Sequence, residues 1–283
     1  MEDQLMSLAL IRVAALALVL SACAIPAAPA AEIDADIFQV PRKNAITFWG
    51  HASFYVDVDG YGIAVDPVFD DHAFLRWRHK PIPPAYSYAG TRLILITHAH
   101  TDHLSLDTIR DFPPEALILC PRPSERYISR LGREVKALAP GEEYAFPGGR
   151  VVAVMAKHAG TKYGIRSRTD GGAMGYVICT QYATVYFSGD TNLFDGIYEV
   201  GEKYAPDISV LNITGHLHGE DAVEAARGLG SKTIIPCHFG AYGYLFLPEL
   251  HEPRDYEELV EALGDRIVLM GLGESYPLPR VER

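Results

Sequence analysis

The chain has 283 residues, which is enough for one large domain or two modest ones with a substantial core. Hydrophobic residues make up 48% and charged residues 22% of it, a composition that is ordinary for a globular protein and excludes a disordered one. The net charge of −11 argues against a nucleic-acid partner, because a negative surface repels a phosphate backbone.

The N-terminal segment resembles a bacterial lipoprotein signal. An apolar run over residues 13–20 is shorter than the about 20 residues that a membrane-spanning helix needs. The run ends in Leu20-Ser21-Ala22-Cys23, which is similar to the lipobox, in which the cysteine receives a lipid. We therefore predict a signal peptide over residues 1–22, a lipid anchor on Cys23 and an Ala- and Pro-rich tether over residues 23–40.

This signal predicts a protein of the bacterial cell envelope, attached to the membrane through Cys23 and facing the periplasm. Ala24 after the cysteine favours the outer membrane. The alternative is an ordinary secretory signal that is cleaved within residues 27–31, which would leave a soluble periplasmic protein.

From Ile46 onward, short apolar runs alternate with helical stretches, which predicts layers of sheet and helix. Asp59-Gly60 is typical of a hairpin turn, and Ser124 is a predicted helix N-cap. The predicted strands are 46–49, 53–58, 63–66, 93–97, 116–119, 151–156, 175–178, 184–187, 208–211, 233–236 and 267–270. The predicted helices are 106–112, 124–131, 194–203, 220–228 and 256–263.

Residues 69–88, rich in aromatic residues, Pro and Arg, interrupt this alternation and predict a long surface loop beside the site. The loop contains a basic cluster, for which a solvated surface is favoured over contact with an anionic group. The cluster consists of Arg76, Arg78, His79 and Lys80.

The segment that carries chemistry is His98-Ala99-His100-Thr101-Asp102-His103, directly after the apolar run that ends at Thr97. Four potential ligands in six residues cannot all reach one ion from an extended chain. In a tight loop at a strand end, His98 and His100 can face one metal while Asp102 and His103 face another. Imidazole and carboxylate ligands suit zinc, with manganese and iron as alternatives.

This HxHxDH pattern resembles the signature of the metallo-β-lactamase superfamily, and the rest of the chain follows that family's order. The resemblance implies an α/β fold, a four-layer αββα sandwich, over residues 41–283. It also implies further ligands at His158, Asp190 and His238, each after a predicted strand. Two divalent metal ions are then expected, with Asp190 bridging them. The first ion takes His98, His100 and His158, and the second takes Asp102, His103 and His238.

The resemblance implies a metal-dependent hydrolase in which two ions about 3.5–4 Å apart lower the pKa of a shared water and supply hydroxide. Trp49-Gly50-His51-Ala52-Ser53-Phe54, followed by Asp66-Pro67-Val68-Phe69, resembles a particular branch. That branch contains the ascorbate-6-phosphate lactonase and the phospholipase D that hydrolyses N-acylphosphatidylethanolamine. The favoured substrate is a small or lipid-derived phosphodiester, and the alternative is a lactone or another carboxylic ester.

Two catalytic residues are proposed beside the ligands. Asp102 can orient the hydroxide as well as bind metal, and His216 aligns with a histidine of the phospholipase-like members that could donate a hydrogen bond or protonate the leaving group. His218 takes this part if the loop is shifted, and a solvent-exposed loop histidine is an equal alternative for His216. His51 is interpreted as a buried histidine beneath the site or as a catalytic residue, and Cys237 as a core residue.

A hypothesis of another class is a non-catalytic binding protein of the envelope that retains the fold. The complete ligand set argues against it. The sequence leaves the oligomeric state open.

Overall fold

A computed structural model of the chain describes residues 37–38, 40–70, 72–73, 76–78, 80–158, 172–217, 219–239, 241–244 and 256–279. The predicted signal peptide, Cys23 and most of the predicted tether lie outside these residues. Phe38 falls within the segment expected to be a tether, yet its side chain is buried and its carbonyl accepts a hydrogen bond from the Tyr86 hydroxyl. The packed structure therefore includes residues that precede the predicted domain start at residue 41.

The first sheet has seven strands in the order β16-β1-β2-β3-β6-β7-β8. Strands β1, β2 and β3 are antiparallel neighbours, and β3, β6, β7 and β8 are parallel, so β1, β3 and β6 all run in one direction. The strands are β1 Ala45–Gly50, β2 Ser53–Val58, β3 Tyr61–Val65, β6 Thr91–Leu95, β7 Leu117–Pro121, β8 Val135–Leu138 and β16 Ser275–Pro277.

The second sheet has six strands in the order β14-β13-β12-β11-β10-β9. Strands β9 to β12 are antiparallel neighbours and β12 to β14 are parallel, so β10, β12, β13 and β14 share one direction. The strands are β9 Glu143–Phe146, β10 Gly149–Met155, β11 Met174–Thr180, β12 Thr184–Phe187, β13 Ile208–Asn212 and β14 Thr233–Cys237. A small third sheet joins β4 His72–Ala73, β5 Arg76–Arg78 and β15 Tyr242–Tyr244.

The two large sheets pack face to face with helices on their outer faces, which confirms the predicted αββα sandwich. Side chains of both sheets, such as Phe54, Leu93, Val151 and Tyr176, form the central apolar cluster. Burial of such side chains stabilises the sandwich by about 1.5–3 kcal/mol each. The helices are α1 Leu106–Asp111, α2 Arg122–Ile128, α3 Asp195–Tyr204, α4 Glu220–Leu229 and α5 Tyr256–Leu263.

Each outer layer has its own apolar cluster. Helices α3, α4 and α5 cover the second sheet through residues such as Ile197 and Leu259. Helices α1 and α2 cover the first sheet through Ile109 and Ile128. Among the described residues, no helix is both long enough and apolar enough to cross a membrane.

Most predicted strands and helices are confirmed, and the structure differs from the prediction at helix α2, at residues 267–270 and at strands β8 and β9. Helix α2 begins at Arg122 with Pro121 as its N-cap, so Ser124 is a buried residue inside the helix rather than its cap. Pro123 lies in the first turn, where proline is tolerated because its missing N–H would have no partner within the helix. Residues 267–270 contribute only an isolated bridge between Ile267 and Ile234, and the last strand is β16. Strands β8 and β9, which carry exposed and half-buried positions, have weak apolar patterns and were not predicted.

Residues 69–88 are not a plain surface loop. They contain β4, β5 and a 3-10 turn at Ala85–Ser87, and β5 pairs with β15 from a distant part of the chain. Arg78 is buried, and its guanidinium donates hydrogen bonds to the carbonyls of Trp49, Val68, Lys80 and Pro81. Arg78 is therefore not a solvated surface residue, because most of its donors bind backbone carbonyls inside the protein.

Candidate metal centre

All the predicted ligands lie at one edge of the sandwich, where strands of like direction end. His98 to His103 follow β6, His158 follows β10, Asp190 follows β12 and His238 follows β14. Since these strands run in the same direction within each sheet, their carboxyl ends open onto a shared crevice, the usual position of a binding site in α/β sheets. The fold thus brings together the seven residues that the sequence proposes as metal ligands.

The first donor group consists of His98, His100, His158 and Asp190, whose ligand atoms lie within 4.8 Å of one another. His158 Nε2 is 3.2 Å from His100 Nδ1 and 3.8 Å from Asp190 Oδ2. His98 Nε2 is 3.5 Å from the same carboxylate oxygen. Three imidazoles and one carboxylate converge in the manner of a transition-metal site.

The second donor group consists of His51, Asp102, His103 and His238, also with ligand atoms within 4.8 Å of one another. His103 Nε2 is 3.2 Å from His238 Nε2, and His238 Nε2 is 3.6 Å from Asp102 Oδ2. All four residues are buried. His51 was interpreted as a histidine beneath the site or a catalytic residue, and the structure places it inside this donor group.

Asp190 stands between the two groups and turns one oxygen to each. Oδ2 faces the first group, and Oδ1 lies 3.2 Å from His103 Nε2 and 3.3 Å from His238 Nε2 in the second. Oδ1 also accepts a hydrogen bond from Asn212 Nδ2 at 2.9 Å, which fixes the plane of the carboxylate. Gly189 before it has a φ of +56°, and a Cβ there would lie 2.9 Å from Met174 O, so the turn into Asp190 requires glycine.

Residues outside the HxHxDH segment set the orientation of its rings. His103 Nδ1–H donates to Asp66 Oδ2 at 2.7 Å, and His238 Nδ1–H donates to the carbonyl of Thr214 at 2.9 Å. Each bond leaves Nε2 of the ring with its lone pair facing the donor group, which is the arrangement that metal-binding histidines use. Asp66 also accepts from the N–H and the hydroxyl of Thr97.

The residues fit a metal ion on two grounds. Nε2 of His98, the ring nitrogen that faces Asp190, is buried and has no hydrogen-bond partner among the described residues. Buried ring nitrogens are normally satisfied, so a ligand of another kind is indicated. The donor set of imidazoles and carboxylates is also the set that zinc, manganese and iron accept.

The pKa values of the first group favour metal binding at neutral pH. Burial lowers the pKa of His100 to about 4 and that of His158 to about 2, and neighbouring histidines add to the effect. Both rings are therefore neutral at pH 7, which is the form that binds metals.

His103 differs. Burial lowers its pKa, but the charges of Asp190 and Asp66 outweigh burial and raise it well above the ordinary value. A metal entering this group displaces a proton from His103, so we expect proton release on binding.

His216 lies at the exposed side of the site. Its Nε2 is 3.0 Å from Asp190 Oδ2, its ring centroid is 4.5 Å from that of His158, and 21% of its side chain is exposed. This position suits a group that meets a substrate, as the sequence proposes. His218, the alternative, lies outside the described residues.

Asp102 is buried and turns Oδ2 to both His51 Nε2 and His238 Nε2, at 3.2 Å and 3.6 Å. Burial raises the pKa of Asp102, but the neighbouring His238, His51 and His103 outweigh it and hold this pKa well below the ordinary value. The carboxylate is thus ionised at neutral pH, which is the form that binds a metal ion.

Two residues of the site were not proposed as ligands or as partners of ligands. His51 was interpreted as a buried or catalytic histidine, and Asp66 was quoted only as the start of the Asp66-Pro67-Val68-Phe69 motif. The available signal was position: His51 lies two residues after the predicted strand 46–49, and Asp66 ends the predicted strand 63–66. Cys237, predicted to face the core, is buried there, and its thiol donates to Asn212 Oδ1 at 2.8 Å.

Comparison with known proteins agrees with this geometry. Residues 61–239, more than half of the chain, match the Beta-lactamase superfamily domain. The chain belongs to the metallo-β-lactamase superfamily. A UPF0173 metal-dependent hydrolase of Exiguobacterium sp. is 30% identical over 200 residues, which cover 70% of this chain and 86% of the relative. Another from Aeropyrum pernix is 31% identical over 248 residues, covering 82% of this chain and 96% of the relative.

A solved structure supports the same assignment. Igni18, described as a novel metallo hydrolase of the archaeon Ignicoccus hospitalis, has a TM-score of 0.65 and 27% sequence identity, over 82% of this chain and 97% of its own. The present chain is accordingly an enzyme, a metal-dependent hydrolase, and the hypothesis of a non-catalytic binding protein is wrong. These names do not separate the phospholipase-like from the lactonase-like branch, so the branch stays a prediction.

The predicted envelope location is wrong by the same comparison. The curated relatives include metal-dependent hydrolases of the archaea Ignicoccus hospitalis, Thermofilum pendens, Aeropyrum pernix and Methanopyrus kandleri. They match this chain over 96–99% of their own length, and their descriptions name no envelope lipoprotein. A short apolar run ending in a cysteine was too weak a pattern to assign the location.

Proposed function

We propose that this superfamily member is a two-metal hydrolase that cleaves a phosphodiester. The observation that carries the proposal is the division of the Asp190 carboxylate, with Oδ2 facing one donor group and Oδ1 facing the other. One carboxylate between two sets of imidazoles is the arrangement expected of a bridging ligand. When bound, two divalent ions lower the pKa of water and polarise the oxygen of the bond under attack.

Charge favours an anionic substrate. Asp66, Asp102 and Asp190 are the carboxylates that contact the two donor groups, and two divalent ions outweigh their three charges. The site then becomes a local positive region in a chain of net charge −11. A phosphodiester carries the negative charge that such a region attracts, whereas a lactone does not.

The roles of the protein's own residues follow from their positions. Asp190, held by Asn212, fixes the two donor groups relative to each other. Asp102 binds metal and orients the attacking water. His216, at the exposed side, donates a hydrogen bond to the substrate and a proton to the leaving oxygen. The substrate proposed is a small or lipid-derived phosphodiester, and no nucleic-acid partner is proposed for this acidic chain.

The test uses the full chain loaded with zinc, manganese or iron, with metal content measured by elemental analysis. The substrates are bis-p-nitrophenyl phosphate, p-nitrophenyl phosphate, glycerophosphocholine and a panel of lactones. We expect about two metals per chain and diester cleavage that is lost in His103→Ala. The matched control is Asp57→Asn, which changes a buried carboxylate of strand β2 that accepts hydrogen bonds only from the backbone of Asn44 and Gly60 in the described structure. Turnover of lactones alone would move the assignment to carboxylic esters.

Leaving groups test His216 separately. A p-nitrophenolate leaves without protonation, whereas the alkoxide of glycerophosphocholine requires a proton. His216→Gln should therefore lower kcat about 10²–10⁴-fold for the alkyl diester and much less for the p-nitrophenyl diester. Equal losses for both substrates would rule out proton donation by His216.

A further inference from the structure

His51 occupies a position that a packing residue would not need. Its φ is +57°, in the left-handed region that costs a residue other than glycine about 1–3 kcal/mol. Such strain persists where the surrounding structure enforces it and is concentrated at functional sites. His238, from the other sheet, is in the same region with a φ of +79°.

Two backbone hydrogen bonds join His51 to the His238-Phe239 segment across the sandwich. His51 N–H donates to the carbonyl of Phe239 at 3.0 Å, and His238 N–H donates to the carbonyl of His51 at 2.8 Å. The end of β1 is thus bound to the end of β14, and the two rings lie side by side with centroids 4.1 Å apart. The backbone of both sheets therefore fixes the His51 ring beside that of a predicted ligand.

The distances within the second donor group match donors that share one ion. Donors at 2.0–2.2 Å from a tetrahedral centre are roughly 3.4 Å apart. His51 Nε2 is 3.2 Å from Asp102 Oδ2, and the separations His103–His238 and His238–Asp102 are 3.2 Å and 3.6 Å. The oxygen that His51 faces is the same Oδ2 that His238 faces, so the three side chains converge on one point.

The two donor groups differ in access. His51, His103, His238 and Asp102 are all buried, whereas His100 and His158 of the first group are half-buried, and His158 lies beside the partly exposed His216. Structural metal sites have a full set of protein ligands, whereas catalytic sites keep an open position, so the buried second group is the better candidate for the more tightly held ion.

We propose that His51 is a direct ligand of the ion bound by Asp102, His103, His238 and the bridging Asp190, and that this makes the second position the more tightly held one. The first position, formed by His98, His100 and His158, is then the exchangeable one, where substrate displaces water. This inference rests on metal binding and not on the choice of substrate, so a failed phosphodiester assay leaves it intact.

The experiment measures zinc affinity of the full chain by competition with a chromophoric chelator. Wild type should show one tight and one weaker zinc. His51→Asn tolerates the left-handed backbone, and His51→Gln keeps a hydrogen-bond donor for Asp102 but is a poor ligand. Both variants should weaken the tight zinc by more than ~100-fold, beyond the 10–100-fold expected for loss of a hydrogen bond to a ligand. Asp57→Asn, the control away from the metal centre, should leave the tight zinc unchanged.

A loss of less than about 100-fold in zinc affinity of His51→Gln would overturn the proposal, because a hydrogen bond to Asp102 would then account for His51. Circular dichroism of the metal-free variants checks folding. If neither variant folds, a zinc-loaded wild-type crystal decides the question. His51 Nε2 at about 2.0–2.1 Å from the ion supports direct ligation, and a position beyond about 3 Å overturns it.

Discussion

Asp66 shows how a residue outside the metal motif controls it. It follows β3, has a φ of +42° and accepts hydrogen bonds from Thr97 N–H, Thr97 Oγ1 and His103 Nδ1. The carboxylate thereby fixes both the start of the HxHxDH segment and the ring of one of its histidines. Such partners of metal ligands contribute to metal affinity without contacting the ion.

Asp66→Asn should lower metal affinity about 10–100-fold, because the neutral amide is a weaker acceptor for His103 Nδ1–H. Asn tolerates the left-handed backbone, so the fold should be retained. Competition with a chelator measures the affinity, and Asp57→Asn serves as the control. Unchanged affinity in Asp66→Asn would show that Thr97 alone holds the segment.

Asn212 plays a similar part for the bridging position. Its Nδ2 donates to Asp190 Oδ1, its Oδ1 accepts from the Cys237 thiol, and its N–H donates to Ser188 Oγ. Asn212→Ala leaves buried polar groups without partners and should destabilise the fold by about 1–3 kcal/mol.

The same substitution should lower kcat about tenfold or more, since the Asp190 carboxylate loses the hydrogen bond that helps to fix its plane. Ser209→Ala is the matched control. Ser209 lies on the same strand as Asn212, and its substitution removes a buried hydrogen bond with Ser231 that is away from the metal centre. Thermal unfolding and steady-state kinetics give the two readouts. A loss of stability with an unchanged kcat would show that Asn212 stabilises the fold but does not position Asp190 for the reaction.

At the scale of elements, the direction of the strands determines where the residues of the metal centre lie. Strands β1, β3 and β6 in one sheet and β10, β12, β13 and β14 in the other end at the same edge, and each is followed by at least one residue that contacts the site. Contacts between the sheets fix this edge: Met174 N–H donates to Thr97 O, and the Tyr176 hydroxyl donates to Ile96 O. The site is therefore a product of sheet packing as much as of the loops.

Helices α3 and α4 approach closely on the outer face of the second sheet. A Cβ on Gly201 would lie 2.3 Å from Gly228 O and 3.0 Å from Leu229 Cα, both backbone atoms that cannot move alone. Gly201→Ala should therefore destabilise the protein by about 1–3 kcal/mol, although alanine is the better helix former.

Denaturant unfolding tests this, with the exposed Glu202→Ala in the same helix as a control that should stay within about 0.5 kcal/mol of wild type. Metal content should be normal in both variants. Stabilisation by Gly201→Ala would mean that helix propensity outweighs the close packing.

At the scale of the whole molecule, the metal centre joins the two sheets. Its ligands come from β6 in the first sheet and from β10, β12 and β14 in the second, so metal binding stabilises the folded state over the unfolded one. Removal of metal by a chelator should abolish activity and lower the unfolding midpoint. Added zinc should restore both. At a free zinc concentration of 100 Kd, binding should raise the free energy of unfolding by about 2.7 kcal/mol.

Differential scanning fluorimetry across a zinc series measures this effect. His103→Ala should show a much smaller rise of the midpoint with zinc, because one donor of the second group is absent. A midpoint that does not respond to zinc in wild type would contradict a metal shared between the sheets.

The sequence alone determined the fold class, most of the strands and helices, and the proposed set of ligands. The local periodicity of apolar residues predicts strands and helices, and the HxHxDH segment holds four potential ligands within six residues, so the sequence shows both features directly. The same local reasoning failed where patterns were weak, as in the half-exposed β8 and β9, and where a short terminal pattern was used to assign a location.

Only the tertiary structure decided the places of His51, Asp66 and Arg78. Each has a partner far along the chain: His51 contacts His238, Asp66 contacts His103, and Arg78 contacts the carbonyl of Trp49. No local propensity encodes such contacts, because they form only when the ends of distant strands meet. The division of Asp190 between two donor groups arises in the same way, since one carboxylate can face both only after the sandwich has closed.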